Sequence, residues 1–162
     1  MSKIDIAFRP AQPDELNSIH RMFSATLRVL PYYSSVAKKD ELAKYTVSKL
    51  KSNLKADQNS ILLAKEASGD IVGFCFSHFD DYTIWLDWIV VERRSRKKGV
   101  GKELLEVLFR TAIKRKAHKI WCDCRTSNFP SRALLSSYGF EKIAVIKNHW
   151  YCQDFILWQK FV

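Results

Sequence analysis

The residues Arg96-Lys97-Lys98-Gly99-Val100-Gly101-Lys102 set four cations around two glycines in seven positions. An apolar run from Ile84 to Val91, broken by Asp87, precedes them, and an amphipathic segment follows. The order is strand, basic glycine-bearing loop, helix. Such a junction aims free backbone N–H groups and the positive end of a helix at one spot, which suits a phosphate group. The glycines let backbone approach the anion without a Cβ between them. The spacing excludes two common phosphate loops. A P-loop needs Ser or Thr after its Gly-Lys, and here Glu103 follows Gly101-Lys102. A dinucleotide fingerprint needs a third glycine where Leu104 stands. What remains is Arg-x-x-Gly-x-Gly, which alone is also compatible with a basic turn before an ordinary helix. Asp87 is the second residue with chemical potential. A carboxylate inside an apolar strand is costly unless it faces a cleft or a partner. Strand alternation places it on the face of Ile89 and Val91. Its readings are a second base, an amine-binding group, or a structural Asp paired with a cation.

The elements that must position these groups follow from periodicity. Ile4, Ile6 and Phe8 alternate with polar residues and predict a first strand, closed by Arg9-Pro10-Ala11. A helix starting near Asp14 carries Leu16, Ile19, Met22 and Phe23, and Leu30-Pro31-Tyr32-Tyr33 breaks it. Asp40 to Leu54 predicts a second helix with Leu42, Tyr45 and Leu50 inward. Ser60–Glu66 and Ile71–Phe79 predict a hairpin about Ser68-Gly69-Asp70, with Tyr82–Val91 as the next strand. From Lys102 to Ala117, the residues Leu104, Leu105, Leu108, Phe109, Ala112 and Ile113 share one helical face. Ile120–Arg125 predicts a strand, Pro130–Tyr138 a short helix ended at Gly139, and Phe140–Ile146 and Phe155–Trp158 the last two strands. Antiparallel strands followed by a strand–helix–strand unit imply an α+β or mixed α/β sheet in one domain, residues 1–162.

Composition narrows the function classes. Hydrophobic residues make up 47% and aromatics 13%, enough for a packed core. No apolar run approaches the ~20 residues of a membrane span. Met1-Ser2-Lys3-Ile4-Asp5 lacks the apolar core of a signal peptide, so the expected location is cytoplasmic. Cys122 and Cys124 alternate on one strand face and read as reduced, buried thiols; no metal site is expected. The four histidines show no metal-binding or catalytic spacing, although His149 beside Trp150 could line a groove. Trp85, Trp88 and Trp121 read as core residues from their strand settings. The net charge of +10 gathers around the loop and at Lys114, Arg115, Lys116 and Lys119. It suits a polyanionic ligand. Nucleic acid is disfavoured, because the aromatics are not interleaved with the basic clusters.

Arg96-x-x-Gly99-x-Gly101 between a strand and a helix resembles the acetyl-coenzyme A loop of the GCN5-related N-acetyltransferases. The element order is also that of the family, and the likeness covers nearly the whole chain. The resemblance implies the family's fold: a mostly antiparallel sheet with a splayed parallel strand pair, flanked by helices. It implies acetyl-coenzyme A as cofactor, with Arg96, Lys97, Lys98, Gly99, Val100, Gly101 and Lys102 on the pyrophosphate. Ile89, Val90 and Val91 would offer backbone to the pantetheine arm and the acetyl carbonyl. Asn128, with Gly139-Phe140 eleven residues later, resembles the second half of the cofactor site. Trp121-Cys122-Asp123-Cys124-Arg125-Thr126-Ser127-Asn128 is similar to the bacterial ribosomal-protein-alanine acetyltransferases and their archaeal relatives. There the acidic residue five before the asparagine is the general base, the position of Asp123. Tyr32, Tyr33, Trp150 and Tyr151 resemble the aromatics around the peptide groove of N-terminal acetyltransferases. One position departs. The family's usual general acid, a tyrosine seven after the asparagine, is Leu135 here; Tyr138 either substitutes for it or packs ahead of Gly139-Phe140.

The amine to be acetylated must be neutral. At pH 7, freeing a lysine ε-amine costs about 4.6 kcal/mol, whereas an α-amine costs about 1–1.4 kcal/mol. An aspartate of ordinary basicity is better matched to the second; burial that raises the pKa of Asp123 or Asp87 would overturn that preference. The sequence thus points to acetyl transfer onto a primary amine, first a protein N-terminal α-amine and second a small amine or polyamine. A module of another class, binding coenzyme A or nucleic acid with little catalysis, is the competing reading. A monomer and a homodimer are both compatible.

Overall fold

The computed structural model describes residues 5–162, so Ile4 of the expected first strand lies outside the described residues. Seven strands form one sheet: β1 (Ile6–Pro10), β2 (Ile61–Glu66), β3 (Ile71–Asp80), β4 (Thr83–Val91), β5 (Lys119–Arg125), β6 (Glu141–Ile146) and β7 (Phe155–Phe161). Their order is β1-β2-β3-β4-β5-β7-β6. Five helices cover it: α1 (Leu16–Val29), α2 (Ser35–Lys44), α3 (Val47–Ala56), α4 (Val100–Lys114) and α5 (Phe129–Ser137). Every neighbouring pair is antiparallel except β4 with β5. That parallel pair registers only at Thr83–Lys119, Ile84–Ile120 and Trp85–Trp121. From Leu86 onward the two strands have no pairing and part company, which opens the sheet at its centre.

Strand alternation divides the core between two faces. Leu62, Cys75, Ile84, Leu86, Ile120, Cys122 and Cys124 pack with Leu105, Leu108 and Ala112 of α4 and Leu135 of α5. Ile61, Leu63, Phe74, Phe76 and Val90 pack on the opposite face with Leu16, Ile19, Phe23 and Leu27 of α1 and Leu50 of α3. Burial of this kind contributes about 25 cal/mol per Å² of apolar surface. The expected inward set of α4 holds for Leu104, Leu105, Leu108 and Ala112, while Ile113 is exposed. Glu15 ties the first two strands to α1. Arg9 and Lys65 donate to it at 2.7 and 2.8 Å, and the Gln12 N–H at 2.8 Å. The Arg9 hydrogen bond is the main reason its pKa is lowered to about 2.

Three expectations need correction. Asp40–Leu54 is two helices, because Thr46 breaks the run and caps α3 by accepting from the Lys49 N–H. Asp87 does not share a face with Ile89 and Val91. Phe76 pairs with Trp88 and Ser77 with Leu86, leaving Asp87 as the extra residue of a β-bulge. The bulge resets the alternation, so Asp87 and Trp88 lie on the side away from α4. Trp85 and Trp121 are half-buried and stack edge-on at 4.9 Å outside the packed cores; Trp88 alone joins the core, under α1.

Candidate active site

The basic loop is built as an anion cradle. Gly99 is the N-cap of α4 at φ +87°, a left-handed conformation that costs glycine least. No side chain caps the helix, and its first internal bond runs from the Glu103 N–H to the Gly99 carbonyl at 3.0 Å. The N–H groups of Val100, Gly101 and Lys102 therefore stay available, at the positive end of a fifteen-residue helix. Gly101 has a second reason to lack a side chain: a Cβ there would stand 3.1 Å from Leu134 Cδ2 on α5. Lys97 is itself left-handed at φ +60°. Arg96 Nε donates to the Val91 carbonyl at 3.0 Å and holds the loop against the end of β4.

The open edge of β4 lies beside this cradle. The Glu92 N–H donates to the Val72 carbonyl, so in the antiparallel ladder Val90 also turns its backbone toward β3. Ile89 and Val91 face the gap. Val90 is thus a correction to the expected backbone trio, with its side chain buried as well. Asn128 caps α5, its Oδ1 accepting from the Ser131 N–H at 3.2 Å, across the gap from β4. These groups fit a phosphate-bearing cofactor with an extended arm: free N–H groups at a helix end, four cations, and a strand edge that opens where β5 leaves.

Asp123 stands on the far side of the sheet from α4, where Trp150 Nε1–H donates to it at 3.2 Å. Solvent reaches it, yet the surrounding walls displace enough water to raise its pKa. The Trp150 hydrogen bond and the charge of Arg125 oppose that rise, and Asp87 adds to it. The walls come from distant segments. Tyr32 and Tyr33 lie between α1 and α2; Trp150 and Tyr151 lie between β6 and β7. Gln153 Nε2–H donates to the Tyr32 carbonyl at 3.1 Å and joins the two loops. Tyr33 stacks on Trp88 at 5.4 Å, and the Tyr151 hydroxyl donates to Asp40 at 3.3 Å on α2. Tyr151 and Cys152 are both left-handed, at φ 55° and 56°, an unusual strain beside a site. His149 packs against Trp150 at 4.4 Å. Asp87 pairs with His78 Nδ1 at 2.9 Å, and this bond raises the His78 pKa.

Tyr138 is not brought into this cleft. It caps the end of α5 on the α4 face, and its hydroxyl donates to Glu106 at 2.6 Å. Burial and that carboxylate raise its pKa. Leu135 is buried in the core on the same face. Three residues of the cleft went unmarked in the sequence: Arg125, Gln153 and Glu41. Glu41 accepts from Trp88 Nε1 at 3.0 Å. Arg125 was open to detection, since an arginine alternating with Cys122 and Cys124 cannot face their core.

A family model for the acetyltransferase (GNAT) family matches residues 19–140. The chain belongs to the GNAT family. The fold agrees with solved GNAT structures. Ard1 from Thermoplasma volcanium is 19% identical over 97% of each chain, with a TM-score of 0.77. The ribosomal-protein-alanine N-acetyltransferase of Brucella melitensis is 21% identical over 96% of this chain and 99% of its own, also at 0.77. The protein yncA of Salmonella typhimurium, solved with its cofactor acetyl-CoA, is 20% identical over 97% and 94%, at 0.74. No curated protein matches the sequence. As a GNAT protein the chain is an acetyltransferase with acetyl-CoA as its cofactor. No helix of the described residues is long and apolar enough to cross a membrane.

Proposed function

We propose that this GNAT protein acetylates protein N-terminal α-amines, with Asp123 as general base. The observation that carries the reading is the pair of aromatic loops joined over Asp123. Tyr32-Tyr33 and Trp150-Tyr151 come from opposite ends of the chain, and Gln153 bridges them. Two such walls suit an extended chain end whose first atom is the amine. Arg96, Lys97, Lys98, Lys102 and the first N–H groups of α4 would hold the cofactor's phosphates, with Ile89 and Val91 along its arm. Acetyl-CoA supplies the thioester carbon that the amine attacks. Asp123 accepts the amine proton, directly or through water, and its raised pKa brings it closer to the amine's. Leu135 offers no proton to the departing thiolate, and Tyr138 is committed to Glu106. Releasing a thiolate at pH 7 costs about 2 kcal/mol relative to the thiol, so turnover is slow without being abolished.

A second reading, a polyamine acceptor, has one observation in its favour. Asp40, Glu41, Asp87 and Asp123 bring carboxylates to the same region of a chain whose net charge is +10. Steady-state release of coenzyme A separates the two. The panel holds free-α-amine peptides, N-blocked lysine peptides and spermidine. Turnover confined to the α-amine peptides is expected. Turnover with spermidine alone would replace the first reading by the second.

A further inference from the structure

Arg125 is the most unusual side chain in the cleft. It is 96% buried, with 4% exposure, on the face of β5 that carries Asp123. Its Nε–H donates to Gln153 Oε1 at 2.6 Å. Its guanidinium lies 3.5 Å above the Tyr33 ring and 4.9 Å from that of Phe155. Its Nη2 has no acceptor among the described residues and is fully covered. No carboxylate bonds the guanidinium there; its Nε–H goes to a neutral amide, and the Tyr33 phenol lies close enough for the charge to oppose the rise of its pKa. A buried charge with an unpaired donor is among the costlier features a fold retains. The one bond of Arg125 orients Gln153, which bridges to the Tyr32 carbonyl, yet leaves Nη2 with nothing to do in that role. The cover over it is formed partly by Tyr33, a residue of the acceptor-facing loop.

We infer that Arg125 is a specificity-determining residue for the acceptor: its Nη2–H donates to a carbonyl or carboxylate oxygen carried within two residues of the reacting amine. The inference rests on the acetyl-transfer reading. Asp123 and Arg125 are two positions apart on one strand, about 6.6 Å along its axis. An extended peptide whose amine is at Asp123 covers that distance in about two residues. The oxygen belongs either to the acceptor's backbone or to an acidic side chain, and both offer the same sp² acceptor to a fork of N–H donors. Entry requires the Tyr32-Tyr33 loop to shift, a local movement of a kind common at recognition sites. Spermidine carries no such oxygen, so the same arginine would repel it.

The test uses an alanine tetrapeptide amide, two analogues with the first or second carbonyl replaced by methylene, and a version with glutamate at position two. Each is assayed with wild type, Arg125→Met and Arg125→Lys. Methylene replacement alters amine basicity equally for every enzyme form, so the readout is the change in discrimination between forms. In the wild type, one carbonyl replacement is expected to lower kcat/KM by roughly 10–100-fold, or the glutamate to raise it by that factor. The first result assigns the backbone as the source and the second the side chain. Arg125→Met should erase the difference, and Arg125→Lys, which keeps charge without the fork, should retain part of it. Affinity for acetyl-CoA should be unchanged in both variants, which reports that they fold. Peptide dissociation constants measured by tryptophan fluorescence with coenzyme A present give the same comparison without turnover. Equal discrimination in wild type and variants would overturn the inference, as would its absence in wild type. Turnover without discrimination defeats the inference alone. Discrimination in binding without turnover defeats the acetyl-transfer reading alone.

Discussion

Asp123 concentrates the chemistry in one residue. Its position on β5 turns the carboxylate away from the Cys122–Cys124 core and toward the aromatic loops. Removing the charge while keeping the shape should separate catalysis from stability. Asp123→Asn is expected to lower kcat/KM for an α-amine peptide by roughly 10²–10⁴-fold. Acetyl-CoA affinity should hold. The folded-state pKa lies above the unfolded value, mainly through desolvation. The charged form is therefore disfavoured in the folded protein, and that penalty grows as pH rises from the unfolded pKa through the folded one. At neutral pH the asparagine variant should melt no lower than wild type. The wild-type rate should rise through an acidic limb displaced above the ordinary aspartate range, then through the α-amine's own pKa near ~8. Steady-state kinetics against pH and thermal melting of both forms check this. A variant that melts much lower at full relative activity would show Asp123 to be structural.

At the scale of elements, the loop–helix junction was readable because its signals are local. Two glycines, a cation run and a 3.6-residue apolar period all fall within one segment. The β4 bulge was not readable. Asp87 becomes the unpaired residue only through register with β3, and no spacing within β4 announces that. The break at Thr46 is hidden in the sequence because Asp40–Leu54 keeps an apolar period on both sides of a capping residue. Asp123 and the aromatic walls carried types and spacing that a resemblance could mark. Gln153 takes its place only through a contact with Tyr32, 121 residues away. The junction itself supports a prediction. At Gly99, φ is +87° and a Cβ would meet no atom within 4 Å. Gly99→Ala therefore acts through backbone strain alone, about 1–2 kcal/mol. If the strain relaxes by rotating Gly99, the N–H groups of α4 lose their common aim. Acetyl-CoA affinity should fall roughly tenfold or more, with little change in the acceptor KM. Titration calorimetry with acetyl-CoA reads the first effect. Unchanged cofactor affinity would separate the cradle from the conformation of Gly99.

The whole molecule is two packed halves that share a short seam. β1–β4 with α1–α3 form one side, and β5, β7 and β6 with α5 form the other. Their strands meet in only three register positions before the gap opens. α4 crosses the seam, packing on strands from both halves. A cofactor lying in the gap would touch the Val100–Lys102 end of α4, the open edge at Ile89 and Val91, and the start of α5 at Asn128. It should therefore act as a second fastening. Acetyl-CoA at a hundred times its Kd adds about 2.7 kcal/mol to stability by mass action. For a domain of this size the melting midpoint should rise by about 5–10 °C. Mass action alone does not say where the ligand holds. Hydrogen exchange does, because slowed amides mark the segments that stop opening. Protection is expected at Ile89, Val91 and Val100–Lys102 together with residues 126–131 at the start of α5. If the midpoint rises while only the β4–α4 side is protected, the cofactor is held by one half. The gap would then be a passage for the reacting groups, with stability resting on the three paired positions and α4.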